Sequence, residues 1–553
     1  MANIVVTAAL PYANGVVHLG HIASTYLPAD ILTRYFKLKG ENVIYVCATD
    51  DFGTPILIEA EKEGKTPEEF VAYWHKEYSQ DFQDLGIDFD IFYRTSSEEN
   101  VKLTQHFFLK LLERGFIFKQ RISQPYCENC NKALPDRYVI GTCPYCNAED
   151  QYSDGCEKCG RTLASGEIKN PHCAICGSRP VSKESDHYFF RLSKFSSELR
   201  KWLLENENLQ PEVKSYVLNW IEEGLREWDI TRDIPWGAPI PLDEAEGKVL
   251  YNWFDNHLCY ISTSLKYFSG KGIDGKERWN SSKIYHFIGK DIVYHHFLFL
   301  PAMRFGVEEF KLPEFIPTRG HLLLHGEKFS KSRGWFISVR GFLNLFPADY
   351  LRYYLSSITP YNPSDINFDW EDFQVKINNE LIANIGNFIH RTLTFIWSKC
   401  NGKVPEPREY DTSDKEFEEE IRKVANDVGN ELGKIELSRG LRRVLEFLKF
   451  CNQYFQRKAP WSKERQAETC LYLCINGVRS LAILLNPYLP FSSEILWKQL
   501  NLQDSVREQS WDSASKLTIK GGHKINKPHV LFRKIEDEKI KKEKEKLLKL
   551  ASD

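Results

Sequence analysis

The N-terminal stretch, residues 3–21, constrains this chain more than any other. Ile4, Val5 and Val6 form a short apolar run of the kind that makes a buried parallel strand. Leu10-Pro11-Tyr12-Ala13-Asn14-Gly15 is turn chemistry, because proline fixes φ and Asn-Gly supplies left-handed positions. Residues 19–39 predict a helix, with Ile22, Tyr26, Ile31 and Tyr35 spaced to cover one face. A strand that turns into a helix start leaves free backbone N–H groups and the positive end of the dipole beside His18 and His21. That is a site for an anion, and imidazole donors there help most where charge builds up in a transition state. Gly20 lets backbone or a nucleotide base come close without a Cβ in the way.

A second polar motif lies far downstream. His325-Gly326-Glu327-Lys328-Phe329-Ser330-Lys331-Ser332 carries two lysines and two serines on a loop, suited to transient neutralisation of a triphosphate that breaks between its α- and β-phosphates. Residues 1–116 alternate strand-like and helix-like segments, with a second strand at 43–48 and helices at 67–85 and 98–114. This is the first half of a doubly wound α/β nucleotide-binding domain. Asp50 follows the second strand, at the carboxyl edge where such sheets bind ligands. Strand-like runs return at 248–254 and 284–288, the latter followed by Gly289-Lys290-Asp291.

At 553 residues the chain needs several cores, and 42% hydrophobic content can fill them. A formal charge of −3 gives no global sign of nucleic-acid binding, so any such surface is local. No run approaches the ~18 apolar residues of a membrane span and the N-terminus reads as a strand, so a cytoplasmic protein without membrane attachment is expected. Eight of the 14 cysteines form four Cys-x-x-Cys pairs: Cys127/Cys130, Cys143/Cys146, Cys156/Cys159 and Cys173/Cys176. Such spacing sets two thiolates on one side of a turn, and two turns complete a closed tetrahedral site, so one or two structural zinc ions are expected. They would stabilise an insertion at 117–235 too poor in apolar residues to fold unaided. Spacing alone leaves the pairing open.

The chain resembles the class I aminoacyl-tRNA synthetases: His18-Leu19-Gly20-His21 matches their first ATP motif and Lys328-Phe329-Ser330-Lys331-Ser332 their second. More narrowly it is similar to the methionyl-tRNA synthetases with four Cys-x-x-Cys knuckles, over nearly its whole length. The resemblance implies a Rossmann-like parallel-sheet catalytic domain (1–116 and 236–317) split by the zinc insertion (117–235). A stem-contact region (318–365), an all-α anticodon-binding bundle (366–520) and a charged tail (521–553) follow. It implies ATP with Mg²⁺, methionine and tRNA for methionine, initiator and elongator, as ligands. Catalysis falls to His18, His21, Lys328 and Lys331, with Gly20, Gly289, Asp291, Ser330 and Ser332 also on ATP. Leu10, Tyr12, Trp253, Tyr260, Ile292 and His296 wall the methionine side chain, and Asp50 holds its amino group. The implied zinc sets are nested: Cys143, Cys146, Cys156 and Cys159 on one ion, Cys127, Cys130, Cys173 and Cys176 on the other.

One stretch departs from the family pattern. Where that pattern has Asp or Glu and then Ala-Pro-Ile-Gly-Tyr, this chain has Asp255-Asn256-His257-Leu258-Cys259-Tyr260. A titratable ring replaces a rigid apolar wall, and apolar pockets discriminate by only ~1–3 kcal/mol per methylene. A synthetase for another amino acid is therefore the rival reading, and a non-catalytic tRNA-binding protein a second, against which both intact ATP motifs stand.

In the C-terminal half Ile377, Leu381, Ile385, Phe388 and Ile396 form an apolar stripe, with a gap at Thr392, as in a helix bundle. Asn387 and Arg391 lie four apart and off that stripe; with Trp461 they match the family's readers of anticodon bases, and such groups stack on and hydrogen-bond single-stranded bases. From residue 520 apolar periodicity fades, and eleven Lys and Arg stand against six Asp and Glu. A charged helix over 539–549, useful for phosphate or for a separate tRNA-binding partner, is expected there, on a monomer.

Overall fold

The computed structural model describes residues 2–552 except 154–155, 157, 159–162, 164–166, 330–333 and 463. Five parallel strands make the catalytic sheet: β1 (Asn3–Ala8), β2 (Asn42–Thr49), β3 (Ile91–Arg94), β4 (Lys283–Gly289) and β5 (Thr318–Arg319), in the order β5-β4-β1-β2-β3. The direction of winding reverses between β1 and β4, so a ligand crevice opens at their carboxyl ends. Val5 and Ile44 enter the core on one face, and Ile4, Val6 and Tyr45 that on the other. Burial on both faces is why these strands read as unbroken apolar runs.

Local signals set several helix bounds. The helix Pro67–Leu85 starts with a reciprocal cap, in which Thr66 accepts from the Glu69 N–H and Glu69 from the Thr66 N–H, and ends at left-handed Gly86. The helix after β1 begins at Leu19–His21, widens into a π turn at Ile22–Tyr26 and resumes at Leu27–Leu38. A second π turn, His295–Phe299, follows β4. Both wide turns sit at the crevice, a placement common for such distortions at working sites.

The insertion is built on a long antiparallel ladder, Ile117–Cys127 against Val181–Phe190, which carries the cysteine knuckles at its far end. The C-terminal helices share one continuous core with the catalytic sheet. Tyr35 donates to the Gly429 carbonyl at 3.1 Å, and its ring meets Trp511 edge-on at 4.9 Å. All five residues of the expected stripe are buried, and Thr392 fills its gap, also buried.

Two expectations are corrected. Residues 248–254 are not a strand: Val249–Leu250 is a two-residue strand and a helix, Asn252–Ser269, starts directly after it. That helix is buried on nearly every side between residues 254 and 264, so it has no polar face to reveal its period. Second, Ala467–Leu485 is long and apolar enough to cross a membrane, but 89% of it lies buried at the centre of the helical bundle. The charged helix expected over 539–549 forms as Asp537–Ser552, and the tail around it is packed on the molecule. Ile525, Phe532, Ile535, Ile540 and Leu547 are buried, and the helix Asp537–Ser552 docks on Trp370–Lys376, with Lys544 paired to Glu371.

Candidate active site

The two polar motifs meet. Val17 accepts from the Val339 N–H at 2.9 Å and the Leu19 N–H donates to Ile337 at 3.0 Å, which stitches the segment after the lysine loop to the start of the first helix. The loop springs from a hairpin, Leu322–Leu324 with Glu327–Lys328, whose two-residue turn holds His325 and Gly326 at positive φ. Phe329 then packs on the His18 ring, 5.0 Å between centroids. Lys328 is exposed beside it. Ser330, Lys331 and Ser332 lie outside the described residues.

The helix start differs from the expected free anion cradle, because strand pairing already uses the Leu19 N–H. His18 and His21 stand at that start. Their rings stack at 3.7 Å, and the His18 N–H donates to His21 Nδ1 at 3.3 Å. A neutral His21 that accepts at Nδ1 carries its proton on Nε2, where it can be donated. At Gly20 a Cβ would lie 3.0 Å from the His18 ring, so glycine makes room for the imidazole. Gly289 closes β4, and Asp291 follows, exposed, with Oδ1 3.5 Å from His321 Nε2.

A cavity of about 330 Å³ opens next to this crevice, lined among others by Tyr12, Gly53, Arg232, Tyr251, Asn252 and Trp253. Tyr12 donates to the Phe52 carbonyl at 2.6 Å, and Gly53, at φ 113°, lies so near that a Cβ would meet the phenol oxygen at 2.0 Å. Behind the wall Asp50 is buried, with Asn256 Nδ2 donating to its Oδ2 at 2.9 Å and Asn252 Nδ2 to the same oxygen at 3.4 Å. Burial pushes the Asp50 carboxyl up to about 8, and Asp51 adds to the rise, although both amides oppose it.

Of the six expected wall residues, Tyr260 and His296 are buried, while Leu10, Tyr12, Trp253 and Ile292 are half-buried. His296 Nδ1 donates to the Ile292 carbonyl at 3.1 Å, so Nε2 is the acceptor for the Tyr260 hydroxyl at 2.9 Å. Burial pulls His296 down to about 4 and His295 to about 3, so both rings are neutral near pH 7. Trp253 stacks on His295 at 3.9 Å, and His257, fully buried, meets His296 edge-on at 4.9 Å. Asn252, Asn256, His257 and His295 are members of this site that the family pattern did not name.

Elsewhere, the sulfurs of Cys127, Cys130, Cys173 and Cys176 all lie within 4.8 Å of one another, as do those of Cys143, Cys146 and Cys156. Cys159 lies outside the described residues. On the helical bundle the Arg391 guanidinium sits 5.2 Å from the Trp461 ring centre and 4.8 Å from that of Phe455. Trp461 is 45% exposed, and Asn387, one turn before Arg391, is exposed too.

Residues 4–393 match the family model of tRNA synthetases class I (M), and residues 404–549 that of the anticodon binding domain of methionyl tRNA ligase. The methionine–tRNA ligase of Methanopyrus kandleri is 44% identical over 98% of this chain and 82% of its own length. That of Pyrococcus abyssi is 45% identical over 98% of this chain and 77% of its own. The fold is that of the Mycobacterium tuberculosis methionyl-tRNA synthetase bound by methionyl-adenylate, with a TM-score of 0.80 and 22% identity over 96% of this chain and all of that one. The chain belongs to the methionine–tRNA ligases, class I aminoacyl-tRNA synthetases that activate methionine with ATP and transfer it to tRNA.

Proposed function

We propose the following division of labour for the two steps. His18, Gly20, His21 and Lys328, with Ser330, Lys331 and Ser332, take the ATP phosphates, and Gly289 and Asp291 the adenosine. Leu10, Tyr12, Trp253, Tyr260, Ile292 and His296 hold the methionine side chain, and Asp50 its ammonium. A methionine carboxylate oxygen bonds to the α-phosphorus as the bond to the β-phosphate oxygen breaks, and pyrophosphate leaves. A ribose hydroxyl of tRNA then takes the aminoacyl group and AMP leaves. Mg²⁺ carried by ATP adds charge neutralisation on the phosphates. The chain's own contribution is positioning, plus donors aimed at charge that grows on the phosphates. The observation that supports this reading is the Phe329–His18 contact, which joins the end of the second motif's hairpin to the paired imidazoles. Pyrophosphate exchange with each standard amino acid, followed by charging of total tRNA, tests it; exchange that responds to methionine alone is expected, and exchange with another amino acid instead would contradict it.

The four sulfurs of Cys127, Cys130, Cys173 and Cys176 fit a tetrahedral zinc site, since thiolates ~2.3 Å from one ion lie a little under 4 Å apart. Cys127 and Cys176 are 3.4 Å apart and Cys130 and Cys173 3.9 Å. Four thiolates leave no open position, so the site is structural. Stripping metal with a chelator is expected to abolish hydrogen-exchange protection along 117–190 while β1 and β2 keep theirs; unchanged protection in metal-free protein would refute the assignment.

Trp461, Arg391 and Asn387 form the proposed anticodon contact. Trp461→Ala should raise the KM for tRNA by about tenfold, the scale of one lost base stack, and leave pyrophosphate exchange as it was. Equal losses in both assays would instead mark a folding defect.

A further inference from the structure

Asn256 stands at one of the positions where this chain departs from its family's pattern, and the structure gives it a partner. Its Nδ2 donates to Asp50 Oδ2 at 2.9 Å, and Asn252, one helical turn earlier, donates to the same oxygen at 3.4 Å. Both asparagines sit on the helix Asn252–Ser269, and Asn256 is only 2% exposed. A carboxylate turns broadly about its last bond, so two donors on one oxygen set its orientation. The other oxygen, Asp50 Oδ1, is buried with no hydrogen-bond partner among the described residues, and so is Asn256 Oδ1. Unpaired buried acceptors are costly unless a ligand supplies the donor, and an ammonium group carries three. Tyr12 and Asn252, which line the adjoining cavity, are joined by a hydrogen bond of 3.3 Å, so the carboxylate lies one side chain behind the wall.

We propose that Asn256 is a positioning residue: with Asn252 it holds the Asp50 carboxylate so that its second oxygen receives the ammonium of the amino-acid substrate. The proposal rests on the reading of Asp50 as the ammonium acceptor. The groups facing Asp50 are Asp51 on its own segment, Tyr12 from the turn after β1, and Asp255 and Tyr260 from the helix that carries Asn256. Apart from the two amides and the Phe52 backbone N–H, this surrounding opposes ionisation, because two of its members are carboxyls and burial acts in the same direction. The Asn256 donor therefore favours the charged form that an ammonium needs.

The test is steady-state pyrophosphate exchange across pH on Asn256→Ala, Asn256→Asp and Asp50→Asn, with thermal unfolding of each as a control. Asn256→Asp keeps the shape but exchanges the amide donor for a second carboxyl, which repels the Asp50 carboxylate or shares its proton; Asn256→Ala removes the amide without adding charge. Both are expected to raise the methionine KM about ten- to hundredfold, the scale of a lost hydrogen bond to a charged group, with the ATP KM changed less than about twofold. The acid limb of kcat/KM for methionine should also move to higher pH, since losing a donor raises the Asp50 carboxyl further. If Asp50→Asn raises the methionine KM and neither Asn256 variant does, the role of Asn256 is overturned alone. If Asp50→Asn leaves the methionine KM untouched, the reading of Asp50 fails and takes the proposal with it. Equal rises for ATP and methionine would mark general loosening and overturn it too.

Discussion

Replacing His21 by alanine is expected to slow methionine-dependent pyrophosphate exchange by about 10²–10³-fold, the usual scale for one donor aimed at transition-state charge. Methionine binding should be nearly unchanged, because the stacked imidazoles lie at the helix start and the methionine walls on other elements. The direction follows from the tautomer: the His18 N–H donates to His21 Nδ1, so the proton of a neutral His21 ring is on Nε2. Lys328→Ala should give a loss of the same kind, since the hairpin sets that lysine directly before Phe329, which packs on the His18 ring. If both groups serve the same phosphates, the double variant falls short of the product of the two losses, as residues acting as a unit are not additive. Losses that multiply cleanly would separate the two motifs. The same kinetics distinguish binding from chemistry, because a rise in KM with kcat intact is the signature of lost ground-state binding.

The second large effect concerns stability. Arg352 is fully buried and ties three parts of the molecule together. Its Nη2 donates to Asp30 Oδ2 at 2.6 Å and to the Pro487 carbonyl at 2.8 Å, its Nε to Tyr488 at 2.9 Å and its Nη1 to Gly86 at 3.0 Å. Asp30 lies on the helix Leu27–Leu38, Gly86 caps the helix Pro67–Leu85, and residues 487–488 belong to the C-terminal half. Arg352→Ala should cost about 3–5 kcal/mol, the range for breaking a buried ion pair while leaving its partner in place. Arg34, which also holds Asp30 at 2.8 Å, favours the lower end. Urea denaturation reads the effect, and a change below about 1 kcal/mol, the surface-pair range, would refute the hub. Burial alone would raise the Asp30 carboxyl, but Arg34 and Arg352 more than offset it and it ends below the usual range. Its contribution is thus fully present above about pH 4 and is lost as pH falls through the depressed folded value.

What the sequence made legible was local. The apolar run of β1, the two ATP motifs and the Thr66-Pro67-Glu68-Glu69 start closed by Gly86 all carry their signal within a few residues. Asn252 and Asn256 share that spacing rule, four apart on one helical face, but a helix buried all round shows no stripe, and reading 248–254 as a strand put them on no common face. Arg352 was illegible for a different reason. Its partners are carbonyls and a carboxylate far apart in the chain, and only the tertiary fold brings them together. The segment after 520 buries single apolar residues from extended chain, each too isolated to set a period. Family likeness alone grouped Arg391 with Trp461 as candidate base readers; nothing in their spacing announces the contact the fold makes between them.

A crystal structure with methionine and a non-hydrolysable ATP analogue shows whether both motifs serve one nucleotide. One triphosphate touched by His21 from one side and by Lys328 from the other is expected, with the methionine ammonium on Asp50. A triphosphate that contacts the imidazoles while the lysine loop faces another cavity would contradict that expectation.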